Sequence, residues 1–253
     1  MFKRLYAFCL SLALLLSGAA WATDWSLMVD DMKFVREEEK LARDVYATLY
    51  DYFFSQGSTL SVFNNIAYSE QKHMDAMLKL LAKYGIPDSA VDGGQGDYPQ
   101  SCRETNCLFN NKDLEALYAK LIKDGKDSSL AAFVVGAYIE ELDISDLGDA
   151  IKNAEGYPEI QAVYENLLCG SGNHLRAFAK NIELLGYSYF EATDKYLASI
   201  RPKEGSEEYD DYMEAVEAIL NGDMAHCGNG GGKGPKGPKG PQDPKSPKGP
   251  KGP

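Results

Sequence analysis

The chain has 253 residues, 44% of them hydrophobic, and a formal net charge of −12. That length suffices for one well-packed domain, and so acidic a balance argues against nucleic acid as a partner. Beyond the N-terminus no segment reaches the roughly 18 consecutive apolar residues of a bilayer span, so the mature protein is expected to be soluble.

Residues 1–22 read as a secretory signal peptide: Lys3 and Arg4 open it, Leu5 to Leu16 is almost wholly apolar, and Ala20-Trp21-Ala22 is a small-x-small cleavage site. An uncleaved N-terminal anchor is the alternative. The expected compartment is periplasmic or extracellular. From Gly228 the chain reads GNGGGKGPKGPKGPQDPKSPKGPKGP, with six Lys against one Asp and no large apolar side chain. This composition predicts a disordered tail, partly polyproline II, able to contact envelope or anionic surfaces. Without leader and tail, residues 23–227 carry a charge of −19.

Helical periodicity dominates that region. A first helix is predicted from about Trp25 to Phe54, with Leu41, Val45, Leu49 and Tyr52 on one face, and Gly57-Ser58 ends it. A second runs from about Ser61 to Tyr84, with Ile66, His73, Met77, Leu80 and Leu81 inward, and stops at Gly85-Ile86-Pro87. A connection rich in Gly, Asp and Asn follows over 85–111, then a short helix near Asp113–Lys123. The third long helix starts at Asp127-Ser128, a good cap pair. Its stripe is Leu130, Phe133, Ala137, Glu140, Ile144, Leu147 and Ile151. The fourth starts at Tyr157-Pro158 and runs to about Leu185, capped by Gly186. One or two shorter helices follow, the clearest at Glu207–Leu220. Four long helices with short 1–2 and 3–4 connections and a long 2–3 connection form the layout of an all-α, ferritin-like antiparallel four-helix bundle with left-handed crossing.

Four cysteines remain after the leader: Cys102, Cys107, Cys169 and Cys227. An even count in an exported chain suggests disulfides. The expected pairs are Cys102–Cys107, within one loop, and Cys169–Cys227, tying a late helix to the chain's end. Four thiolates around a zinc compete with this, although the second pair is not clustered.

The polar residues on the inward stripes carry the functional signal. Glu70 and His73, at i and i+3, share a core-facing helix face, where an acid and an imidazole are costly unless paired or metal-bound. Glu37, Glu38 and Glu39 form an acidic run of the kind that usually lines a solvated face. Glu39, however, shares a stripe with Ala42, small enough to leave room for a metal, and Tyr46, able to hydrogen-bond the site. On the third helix Glu140 lies on the apolar stripe and Glu141 one position off it. Periodicity favours Glu140, drift along a long helix favours Glu141, and Asp143 is a weaker candidate. On the fourth, His174 follows Ser171, so this chain has Ser-x-x-His where a di-metal bundle repeats Glu-x-x-His. His226, beside Cys227, reads as structural or solvent-exposed. The predicted metal ligands are therefore Glu39, Glu70, His73, Glu140 or Glu141, and His174. They should converge at mid-bundle, with Ser171 facing the cavity and leaving an open coordination position.

Four strings in order carry a resemblance: Phe34-x-Arg36-Glu37-Glu38-Glu39-Lys40-Leu41-Ala42-Arg43-Asp44-Val45-Tyr46; Ser69-Glu70-Gln71-x-His73-Met74; Gly136-x-x-Ile139-Glu140-Glu141-x-Asp143-Ile144-x-Asp146-Leu147; and Gly170-Ser171-x-Asn173-His174-Leu175-Arg176-Ala177-Phe178. Across about residues 30–190 the chain resembles an uncharacterised ferritin-like family, domain-of-unknown-function family 2202. The Glu39/Ala42/Tyr46 pattern and the Glu-x-x-His are also similar to rubrerythrins. The resemblance implies a ferritin-like fold and metal-binding ancestry, with no activity to carry over.

Two functions follow as expectations. One is an exported non-haem metal oxidoreductase, holding iron in a mono- or dinuclear site, or manganese, that reacts with oxygen or peroxide. The other is a non-catalytic metal-binding or structural bundle of the cell envelope, with zinc as a further possible metal.

Overall fold

The computed structural model describes residues 25–90, 108–224 and 227. The leader, the Cys102–Cys107 pair, His226 and the tail lie outside them. Among these described residues seven helices follow in order: α1 (Trp25–Ser55), α2 (Ser61–Lys83), α3 (Lys112–Gly125), α4 (Ser129–Asn153), α5 (Pro158–Leu184), α6 (Tyr189–Leu197) and α7 (Glu207–Asn221). No strand occurs among the described residues, so the fold is an all-α bundle.

Local chemistry sets the helix ends. The side chains of Asn111, Ser128, Ser188 and Ser206 accept from backbone N–H groups in the first turns of α3, α4, α6 and α7, satisfying donors that a helix start leaves open. Pro158 occupies the start of α5, where its missing N–H costs nothing. Gly222 ends α7 at φ 84°, a left-handed conformation that glycine adopts without strain.

α1 packs along α2 and α4 along α5; α1 also meets α4, and α2 meets α5. α3 lies against α1 and α4, while α6 and α7 cover α5. The order in which each helix crosses the core gives its direction. One apolar cluster holds Met28, Met32, Val35, Met77, Leu80, Leu147, Ile160 and Leu167. The other holds Leu41, Val45, Phe63, Phe133, Ala137, Leu175 and Phe178. α1 and α5 pass from the first cluster to the second, α2 and α4 from the second to the first. All four touching pairs are thus antiparallel. α2 and α4 run the same way, so the chain between them must return along the bundle's length. That is the long connection expected from sequence.

α1 is more buried than one apolar stripe requires. Residues 35–49 are buried all round, including Arg36, Glu37, Glu38, Lys40 and Asp44. The reading of Glu37 and Glu38 as a solvated face is corrected. Segments 88–90 and 108–111 of the long connection cover that side of α1. Arg36 donates to both carboxylate oxygens of Asp88 at 3.0 Å. Glu37 accepts from the backbone N–H groups of Asn110 and Asn111. Lys40 donates to Asp44 at 2.7 Å and stands over the Phe109 ring. Burial of charge is tolerable at Arg36, Glu37, Lys40 and Asp44 because each has such a partner. Glu38 has no hydrogen-bond donor on either oxygen, and burial together with Asp146, Asp143 and Glu39 pushes its carboxyl well up.

Cys169 in α5 is joined to Cys227, with a Cα separation of 5.5 Å. This is the predicted second bridge, and it fixes the chain beyond α7 to the middle of α5.

Candidate metal centre

Between the two apolar clusters every long helix places polar side chains at one level: Glu39 from α1, Glu70 and His73 from α2, Glu140 and Asp143 from α4, and Ser171 and His174 from α5. All but His73 are buried, and the His73 side chain is only 12% exposed. Each lies near the middle of its helix, so antiparallel packing aligns them.

Glu70 is the hub. Its Oε2 stands 2.7 Å from His73 Nδ1 and its Oε1 2.7 Å from His174 Nδ1. His73 Nδ1 is also 3.1 Å from Glu39 Oε2, and His174 Nδ1 3.5 Å from Glu140 Oε2. Two overlapping sets of possible metal ligands result, Glu39/Glu70/His73 and Glu70/Glu140/His174, each with its donor atoms within 4.8 Å of one another. The imidazoles lie nearly parallel, 5.4 Å between centroids and 25° between planes. Despite the 2.7 Å separation, Glu70 Oε1 and His174 Nδ1 are not aligned for a hydrogen bond, and neither atom makes another; Glu39 Oε1 and Asp143 Oδ1 also lack a hydrogen-bond partner. Donor atoms so close yet not aimed at one another suit a shared third partner, and buried polar atoms otherwise find hydrogen bonds.

The surrounding residues hold this arrangement. Tyr46 donates its hydroxyl to Glu140 Oε1 at 2.6 Å, the role expected of it. Its ring rests on Phe63 and Phe178, which fix it. Gly170 of α5 leaves the space that His73 occupies: a Cβ there would collide with the imidazole at Nε2 and Cε1. Alanine would ordinarily favour a helix interior over glycine by about 1 kcal/mol. Gly170→Ala is nonetheless expected to destabilise the metal-free protein by about 1–3 kcal/mol through overpacking and to weaken metal binding by displacing His73. Thermal melts and a metal titration of the variant check both effects; wild-type values in each would contradict this packing.

Charge is heavily perturbed. Burial raises the Glu39 carboxyl to about 7, although His73 opposes the rise. Burial raises Glu140 too, against His174. Asp143 is pushed well up by burial and by the neighbouring Glu39 and Glu140. Burial alone would raise Glu70, but His174 and His73 outweigh it and hold it below the usual carboxylate range. Burial would lower His174; Glu70 and Glu140 outweigh that and lift it to about 10. These directions set the pH dependence of the metal-free protein. A carboxyl with a raised folded pKa binds more protons folded than unfolded, so it removes stability as pH rises from its unfolded value. For Glu39 that window runs from 4.5 to about 7. Glu70 acts oppositely, losing its contribution as pH falls below 4.5. Metal-free protein should therefore be most stable near pH 5 and weaken toward neutrality. Added metal should reverse the upper slope, because ligands bind deprotonated. Denaturation midpoints across this range, with and without metal, test the sign; a metal-free midpoint that rises toward pH 7 would refute it.

Five predicted ligands, Glu39, Glu70, His73, Glu140 and His174, thus lie in one cluster, and Glu141 does not. It turns toward the C-terminal helices and accepts from Arg201, Tyr189 and Tyr212 at 2.5–3.0 Å. A guanidinium 60 residues away satisfies it, which periodicity along α4 could not reveal. Ser171 departs from expectation as well. It is fully buried, and its hydroxyl donates to Asp143 Oδ2 instead of standing free beside an open position. Asp143, rated the weaker candidate, is in the cluster. Its i+3 spacing from Glu140 was the available signal.

Residues 28–201 match the family described as an uncharacterized protein domain, DUF2202. The chain is 41% identical over 181 residues to the uncharacterized protein MJ0754 of Methanocaldococcus jannaschii, covering 72% of this chain and 83% of that one. Among solved structures it is similar to the crystal structure of hypothetical protein MJ0754 from Methanococcus jannaschii DSM 2661. That likeness has a TM-score of 0.58 and 37% identity, and it covers 82% of this chain and 97% of the other.

Proposed function

This chain belongs to the DUF2202 family, and we propose that it is an exported, ferritin-like metal-binding protein with places for two divalent ions at mid-bundle. The observation that carries this reading is Glu70, which presents one carboxylate oxygen to each of two imidazoles. Glu39 and His73 would complete one ion's protein ligands, Glu140 and His174 the other's. Mixed carboxylate and imidazole donors suit iron, manganese or zinc. The fold supports the reading: four long helices, antiparallel at every contact, with the long return between α2 and α4. Bound iron or manganese would supply redox chemistry toward oxygen or peroxide. The residues do the positioning. Tyr46 orients Glu140, Gly170 admits His73, and the flanking apolar clusters exclude bulk water.

A second reading, a non-catalytic or structural metal centre in the envelope, is favoured by how closed the cluster is: Glu39, Glu70 and Glu140 are each 1% exposed. There the Lys-rich tail would serve as a tether. Elemental analysis of protein purified from its native compartment tests the shared premise. Absence of iron, manganese and zinc under every buffer would leave only a buried polar network. Oxygen and peroxide consumption by the loaded protein then separates redox enzyme from inert centre.

A further inference from the structure

We propose that Asp143 is a fourth metal-binding carboxylate beside the Glu70/Glu140/His174 triad, positioned by the Ser171 hydroxyl. The inference rests on the two-ion reading above and adds a ligand that the Glu-x-x-His pattern does not contain. α4 presents Glu140-x-x-Asp143 and α5 presents Ser171-x-x-His174, each pair one helical turn apart. The carboxylate absent from position 171 is thus supplied across the helix interface, and the serine in its place holds the replacement.

Three observations converge. Asp143 is 4% exposed, Ser171 binds its Oδ2, and its Oδ1 has no partner. A buried carboxylate oxygen without a donor is costly, and a cation meets that need. Burial apart, the charges that act most strongly on Asp143 are Glu39, which belongs to one triad, and Glu140, which belongs to the other. Its own helix places it one turn from Glu140, and its Ser171 partner lies one turn from His174. Charge balance points the same way. With both histidines neutral, Glu39, Glu70 and Glu140 leave two divalent ions with one uncompensated positive charge in the core. Asp143 supplies the fourth carboxylate, and the adjacent Glu38, whose carboxyl burial pushes well up, is counted as neutral.

The test is Co(II) binding to the full chain after metal removal, followed by equilibrium dialysis and by the visible spectrum of bound Co(II). Wild type should take up two ions per chain. Asp143→Asn, which keeps shape and removes charge, should retain one ion and weaken the second by about 10–100-fold, with a changed Co(II) spectrum. Two ions held at wild-type affinity with an unaltered spectrum would overturn the proposal. Ser171→Ala leaves the carboxylate and removes its positioning donor, along with a bond to the Leu167 carbonyl within α5, so the second ion should weaken by about tenfold. If Asp143→Asn fails to fold, this variant decides: unchanged affinity and spectrum overturn the assignment. Glu70→Ala separates the two levels of argument. If it keeps both ions, the cluster is not the metal site at all. If it loses both while Asp143→Asn keeps both, the site stands and the Asp143 role falls.

Discussion

Replacing Glu70 by alanine should abolish ion binding at both triads, whereas His73→Ala and His174→Ala should each impair chiefly one. The asymmetry follows from Glu70 being the one residue common to both sets. Two further effects distinguish this variant from a generic core lesion. Metal at one hundred times its dissociation constant stabilises a folded protein by about 2.7 kcal/mol, and that increment should vanish. The metal-free variant should also lose about 3–5 kcal/mol, because two buried imidazoles lose the carboxylate between them. His174, now lifted to about 10 by Glu70 and Glu140, should titrate markedly lower. Metal titration monitored by melting temperature, with imidazole NMR for the histidines, covers all three. A Glu70→Ala protein whose melting temperature still rises with added metal as wild type does would rule out the shared-carboxylate arrangement.

Arg201→Ala should cost about 3–5 kcal/mol, as large an effect as any substitution away from the centre. The Arg201 guanidinium reaches both oxygens of Glu141 at 2.8 and 3.0 Å, and both side chains are almost wholly buried. Removing the cation leaves Glu141 charged in the interior with only Tyr189 and Tyr212 as donors. The double variant Arg201→Met/Glu141→Leu removes both charges and should recover most of the loss. Denaturant midpoints of the three proteins form the test. If the single variant costs less than about 1 kcal/mol, the pair behaves like a solvated one. Metal content should change little in any of them, since Glu141 faces away from the cluster.

The contrast between these neighbours shows what the sequence could carry. Helix limits were legible because caps and stops are local: Ser128, Pro158 and Gly57 act within a turn or two of their own positions. Glu70 and His73 were legible because their spacing and their stripe lie on one helix. Glu140 against Glu141 could not be decided so, since the deciding partner, Arg201, lies beyond α6. The surroundings of Asp143 were hidden for a related reason. Its buried hydrogen bond comes from Ser171 of another helix, a partner that spacing along α4 does not reveal. The burial of Arg36 and Lys40 was likewise invisible, because it is created by the long connection folding over α1.

The division of the core by a polar layer bears on how the protein unfolds. Each long helix contributes to both apolar clusters, and the cluster of acids and imidazoles separates them. Without metal, the two halves are joined through a waist of buried acids and imidazoles in which several oxygens lack a hydrogen-bond partner. Backbone amides of residues 70–74 in α2 should then exchange with deuterium faster than those near Phe63 or Leu80. Metal would convert the waist into a crosslink among four helices. Unfolding would become one cooperative event, the protection difference along α2 would disappear, and local breathing would give way to global opening as the route of exchange.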